Sequence, residues 1–212
     1  MVRAAEATSR EHEAAILDAA ISLMAEGGVE ALSMRAVAER VGVSATALYH
    51  YFHNKQDLVD RVVRMGFERF GAYLRDAAQR HPEGSMERVR ALGEAYLQFA
   101  LENEAYFRVI FSIQLRGPRA LEELPGGGGY PLLRQFVQDA MDAGSMRRFD
   151  PDLVAHYLWA TVHGIVTLAL ACRLRGCEAC DAGGGGASPI DLFHAFDPFV
   201  RHGLSTEGAL LP

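Results

Sequence analysis

Apolar residues recur at helical spacing along most of the chain, and short polar or glycine-rich breaks separate the periodic stretches. A first helix is predicted over residues 10–26, with Ile16, Ala20, Leu23 and Met24 on one face and Leu17 beside them. Gly27-Gly28 stops it, and residues 1–9 read as a disordered arm. Two short helices follow. Ser33 has the place of an N-cap, with Leu32 and Val37 at the spacing of a hydrophobic staple. After the break at Val41-Gly42 the device repeats, with Val43, Ser44 as cap and Leu48 as staple partner. Two capped helices around a glycine-containing turn are a helix-turn-helix signature. Val37, Val41, Val43 and Leu48 are expected to point inward, and Ala38 is small where the two helices approach.

The remaining segments are longer. Asn54, with Asp57 at the capping-box position, opens a predicted helix over 55–80. Further helices are predicted over 85–103, 105–115 and 131–143. Asp150-Pro151 starts another that runs to about 173, and Ser188-Pro189-Ile190-Asp191 opens the last, to about 202. The loops at 118–129 and 176–187 are rich in glycine. Few segments look like strands, so the expected fold class is all-α.

Half of the chain's 212 residues are hydrophobic, enough for a sizeable core. The net charge of -6 argues against a protein that coats DNA, but a local DNA-binding surface needs only a few donors. No apolar run is expected to reach the length of a membrane span; residues 158–172 come closest and include His163. Charged residues interrupt the N-terminus where a signal peptide would be apolar, so a cytoplasmic location is expected. An enzyme is not expected: there is no nucleophile-base pair, and the run Gly126-Gly127-Gly128-Gly129 lacks the strand and Lys-Ser/Thr of a phosphate loop. No cofactor is expected.

The segment LSMRAVAERVGVSATALYHYFHNKQDL, from Leu32 to Leu58, resembles the TetR family of regulators. The likeness lies in Val41-Gly42-Val43-Ser44, Leu48-Tyr49, Tyr51-Phe52, Asn54-Lys55 and Leu58. It implies a helix-turn-helix DNA-binding domain over 1–54 and a helical ligand-binding and dimerisation domain over 55–212. The partners implied are double-stranded operator DNA, a second copy in a homodimer, and an unknown small-molecule effector that releases a repressor. No membrane partner is implied.

The resemblance also implies that the third helix enters the major groove. Ala45, Thr46 and Ala47 would then face base edges, while Tyr49, His50 and Tyr51 would contact bases or phosphates. Arg35 would be a further DNA contact, Ser33 would touch a phosphate, and Ser44 at the next helix start is counted with the DNA-binding residues. Lys55 supports this reading from the residues alone. It is the only lysine in the chain, and it occupies the first turn of a capped helix, where ammonium and free backbone N–H groups can meet one phosphate. The alternative for Lys55 is a solvated surface lysine.

For the effector site, Tyr96, Phe99, Tyr106, Phe107 and Phe111 form an aromatic group at helical spacing. Trp159, His163 and Thr167 fall on one face of a later helix. Each aromatic is either ligand contact or core packing, and His163 is either a ligand contact or a hydrogen-bonded core histidine. Trp159 through Gly164 resembles a segment of one TetR-like subgroup. His156, Leu170, Phe193, Phe196 and Phe199 are expected to face the partner in a dimer. A second reading makes Cys172, Cys177 and Cys180 a metal or thiol-redox sensor. A fourth ligand is not apparent, and no metal site is assigned.

Overall fold

The computed structural model describes residues 2–112, 129–174 and 188–206. Among these the chain forms nine α-helices and no strand beyond the isolated bridge between Met146 and Ser205. The helices are α1 (Val2–Ala31), α2 (Met34–Val41), α3 (Ala45–Leu48), α4 (Lys55–Ala78), α5 (Met86–Glu102), α6 (Glu104–Ser112), α7 (Tyr130–Asp142), α8 (Pro151–Leu174) and α9 (Pro189–Leu204). The all-α expectation holds, and most helix ends fall within a residue or two of those predicted.

One difference stands out at the start. Helix α1 begins at Val2, so residues 2–9 are helical where a disordered arm was expected. Ala4, Ala5, Glu6 and Ala7 are good helix formers, which continue the periodic stretch backward. The break at the other end is where the glycines place it. Gly27 and Gly28 leave helical geometry, with φ of 71° at Gly28.

The chain divides into two compact units that follow contacts rather than chain order. The first comprises Met1–Arg69 and Asn103–Ala120, so α6 belongs to it although it lies beyond residue 54. Its core gathers Ile16, Leu17, Ala20 and Met24 of α1 with Leu32, Met34, Val37, Leu48, Phe52, Leu58, Val62 and Val109. Helix α6 packs on α1. Gly66 lies so close to Ile110 that a methyl group there would collide with it. Edge-to-face aromatic packing of Phe67 with Phe111, at 6.2 Å, joins α4 to α6.

The second unit comprises Phe70–Glu102 and Leu121–Pro212. Phe70 and Leu74 pack in its core with Val89, Leu92 and Phe99 of α5, Phe136, Val137 and Met141 of α7, and Val154, Val162, Val166 and Leu170 of α8. Arg88 stacks its guanidinium over the Phe136 ring at 4.4 Å. The Ser188 cap forms a full capping box with Asp191, which starts α9 where the sequence placed it.

One expectation is corrected in α8. Residues 151–171 are long and apolar enough to cross a membrane, with a mean hydropathy of 1.5. Asp152, His156 and His163 interrupt the run without lowering its average below that of a span. The buried side of the helix is committed to the second unit's core through Val154, Ala155, Val162, Ile165 and Val166.

Candidate DNA-binding surface and effector cavity

The helix-turn-helix is built from two caps and one turn. Ser33 Oγ accepts the backbone N–H of Ala36 at 3.0 Å, and Ser44 Oγ accepts that of Ala47 at 3.1 Å. Between them Gly42 adopts φ 78° and ψ 30°, a left-handed conformation that costs a side-chain-bearing residue. Its N–H returns to the carbonyl of Ala38 at 2.9 Å and closes α2. Val37 and Leu48 are fully buried, which locks the pair. Val41 and Val43 are only half-buried at the edge of that core. Arg40 in the last turn of α2 clamps Glu26 of α1 with two bonds of 2.8 and 3.1 Å, and this bond holds the Glu26 carboxyl below its usual range.

This frame displays a small polar surface. Ser33, Arg35, Ser44, Ala45, Thr46, Tyr49 and His50 are exposed, while Ala47, Tyr51 and Lys55 are half-exposed. Helix α3 is a single turn, continued by the hydrogen-bonded turns of residues 49–51, so Thr46 and Tyr49 stand out beside the buried Leu48. Tyr49 is 52 % exposed. At the start of α4, Asn54 Oδ1 accepts the N–H of Asp57 at 2.9 Å. The Asp57 carboxylate accepts the N–H of His53 at 3.0 Å, one residue earlier than a standard capping box. Lys55 thus sits on a rigid helix start.

The second unit contains a cavity lined by residues of α4, α5, α7, α8 and α9. Its volume is about 80 Å³. Its walls are largely apolar, with Phe70, Leu92, Leu133, Val162 and Phe193 among them. Gly93 belongs to the wall because Phe193 lies where its Cβ would be.

Of the aromatic and polar residues expected to meet an effector, Tyr96 and Trp159 line this cavity. His163 stands behind them, with Nδ1 2.7 Å from the Tyr96 hydroxyl. Burial raises the Tyr96 pKa far above its ordinary value, so the hydroxyl stays protonated and is assigned as the donor. Burial also lowers the His163 pKa and favours neutral imidazole. Phe99 is fully buried against Phe70 and Tyr73 and does not reach the cavity wall. Thr167 is exposed and Leu170 is buried within the unit, so Leu170 is not available to a partner. Phe107 and Phe111 pack on each other at 4.9 Å in the first unit.

Spacing along the chain does not announce the polar groups of the wall, Tyr130, Arg90, Asp197 and Arg201. Tyr130 donates to Asp152 at 2.7 Å, and Arg134 donates to the same carboxylate at 2.9 Å. Burial, followed by the bond to Asp152, pushes the Tyr130 pKa up to about 12. Elsewhere Arg90, Asp197 and Arg201 enter the wall. Their contacts join α5 to α9, and no local spacing announces a pair so distant in sequence. The cysteine alternative falls outside the described side chains at Cys172, Cys177 and Cys180. No cluster of metal-ligating residues occurs among the described residues.

An all-helical chain that presents a capped helix-turn-helix in one unit and an apolar cavity in another has the plan of a one-component DNA-binding regulator. The model of bacterial regulatory proteins of the tetR family matches residues 16–62, and that of the tetracyclin repressor-like C-terminal domain matches residues 89–182. The chain belongs to the TetR family. Its relatives include the transcriptional repressor KstR of Rhodococcus jostii, 38% identical over 80 residues, which are 38% of this chain and 38% of that protein. KstR of Mycolicibacterium smegmatis is 44% identical over 69 residues, 32% of this chain and 34% of that protein. The chain thus matches little more than a third of these relatives' length. Among solved structures, a protein of unknown function from Rhodococcus is 27% identical with a TM-score of 0.74, covering 92% of this chain and 96% of that one. The ketosteroid regulator KstR2 of Mycobacterium tuberculosis shares the fold, at 21% identity and a TM-score of 0.66, over 91% of this chain and 94% of that one. The KstR relatives are named as regulators rather than enzymes, and nothing in these likenesses supports a metal or thiol sensor.

Proposed function

We propose that the protein is a homodimeric repressor that binds operator DNA through α3 and its flanking turns and leaves it when a small molecule occupies the second unit's cavity. The observation that carries this reading is the display of Thr46 and Tyr49 around a fully buried Leu48. Such a surface offers few charges but can dock a groove edge-on. Thr46 and the methyls of Ala45 and Ala47 read base edges, Arg35 supplies a bidentate donor, and Ser33, Ser44, Tyr49, His50, Tyr51 and Lys55 hold phosphates or flanking bases.

The dimer rests on α8 and α9. Leu153, Tyr157 and Leu168 of α8 and Phe196 and Phe199 of α9 are exposed, with Leu168 at 67% and Phe199 at 65%. Apolar side chains of this size on the outer faces of two helices fit a second copy. His156 also lies exposed on α8.

The effector is a largely apolar small molecule, in keeping with walls formed by Phe70, Leu92, Trp159 and Phe193. Its binding must favour one spacing of the two DNA-reading helices by roughly 1–3 kcal/mol to matter. Repression follows the KstR relatives; FasR of Mycolicibacterium smegmatis, 30% identical over 101 residues, is named an activator. A regulator of this kind acts in the cytoplasm. The test is capture of genomic fragments by the purified chain at low salt. Fragments should concentrate at a few two-fold symmetric sites, and the variant Thr46→Ala should change which sites are preferred. Uniform recovery of the genome by both chains would overturn the reading.

A further inference from the structure

Seven polar side chains line the cavity: Arg90, Tyr96, Tyr130, Trp159, Thr161, Asp197 and Arg201. Each of them is already bonded to the protein. The Tyr96 hydroxyl donates to His163 Nδ1 at 2.7 Å and takes a bond from Trp159. Tyr130 donates to Asp152 at 2.7 Å. Thr161 donates to the carbonyl of Tyr157, one turn back on its own helix, at 2.8 Å. Arg201 donates to Asp197 and to Glu87, each at 3.0 Å. A terminal nitrogen of Arg90 meets Glu94 at 2.9 Å. Arg90 Nε has no partner, but it is buried and presents no surface for a ligand to reach.

The charges close on themselves as well. Asp197, Glu87 and Glu94 outnumber the two guanidinium groups, and each pairs with one of them. A ligand carboxylate would meet cations that are taken, and a ligand ammonium would meet a carboxylate held by Arg201. Either would leave water without a counter-ion, and a carbonyl would leave it without a donor.

What the wall offers is hydrocarbon surface, including the rings of Phe70 and Phe193 and the side chains of Leu92, Leu133 and Val162. The cavity's volume of about 80 Å³ is below the roughly 150 Å³ of a dry apolar cavity that admits benzene. It therefore encloses about one ring or a short chain and no more.

We propose that the part of the effector enclosed by the cavity is an uncharged hydrocarbon group of about this size, held with neither a hydrogen bond nor an ion pair. This rests on the cavity being the effector site. It rules out acids, amines and carbonyl compounds that would have to bury their polar end there.

Trp159 lines the cavity and is the single tryptophan, so its emission reports occupancy in the intact protein. The titrants share one ring and differ in their substituent: toluene, acetophenone, benzoate and benzylamine. Toluene should bind about tenfold or more tighter than each of the others. Leu133→Phe fills part of the cavity and should lose toluene binding. If that variant does not fold, the wild-type order decides. Acetophenone, benzoate or benzylamine binding as tightly as toluene overturns the proposal and leaves the cavity as the effector site. Undiminished toluene binding in folded Leu133→Phe places the ring elsewhere and overturns it too. Silence of Trp159 toward all four compounds would remove the effector site itself and the proposal with it.

Discussion

The Tyr96 hydroxyl bridges to His163 Nδ1 across 2.7 Å and ties α5 to α8 at the back of the cavity. Both partners are held in their neutral forms by burial, which raises the tyrosine pKa and lowers that of the histidine. The bond therefore links a pH-sensitive group to the cavity wall.

This predicts a specific pH dependence. Because the folded His163 pKa lies below its ordinary 6.5, the unfolded chain takes up protons that the folded one refuses as pH falls through that value. The contribution is present in full above this pH and is lost on the acid side. Carboxylates held low, such as Glu87 and Asp152, lose their contribution only at more acid pH. Urea midpoints measured at about pH 7.5 and about pH 5.5 should differ more in the wild type than in His163→Gln. Equal differences would remove His163 as the source.

Leu48 is the anchor of the DNA-reading turn, and it is fully buried in the first unit's core. Leu48→Ala should cost about 2–5 kcal/mol of stability. Thermal melts read by circular dichroism check this, and a loss well under 1 kcal/mol would mean that the turn is not held as described.

Lys55 and Thr46 should separate in a binding assay. Lys55→Ala should weaken binding to every duplex alike and reduce the slope of log affinity against log salt by roughly one. Thr46→Ala should change which duplex is preferred and leave that slope unaltered. Fluorescence anisotropy across a salt series checks both, and a Lys55 effect confined to one duplex sequence would contradict the phosphate role.

The exposed apolar face should be the dimer contact. Phe199→Glu combined with Leu168→Glu replaces two of the most exposed apolar side chains on α9 and α8. Light scattering should report a monomer where the wild type is a dimer, with helical content unchanged. A double variant that stays dimeric places the contact elsewhere.

The parts of the fold legible in the sequence are those decided within a few residues. The caps Ser33, Ser44, Asn54 and Ser188 all make their bonds, and Gly42 takes the left-handed turn. Helix starts are set by local chemistry, so they could be read. The extension of α1 to Val2 is not legible because Ala4, Ala5, Glu6 and Ala7 carry helix propensity but no apolar period to separate them from an arm. The effector residues were harder. Tyr96 and Phe107 share helical spacing in the chain, yet they belong to different compact units, since α6 joins the first unit. Arg90 and Asp197 come together only through the packing of α9 on α5. Periodicity reports which face of a helix is apolar, and says nothing of which distant helix will cover it.

The central claim is that the turn around Leu48 reads DNA as part of a two-fold symmetric dimer. The most direct measurement is selection of bound sequences from a fully random duplex pool by the purified chain at low salt. The account predicts an enriched inverted repeat whose half-sites lie about one helical turn, roughly 10 base pairs, apart or a multiple of it. A pool that stays random after repeated rounds, or that enriches equally with Thr46→Ala, would contradict it.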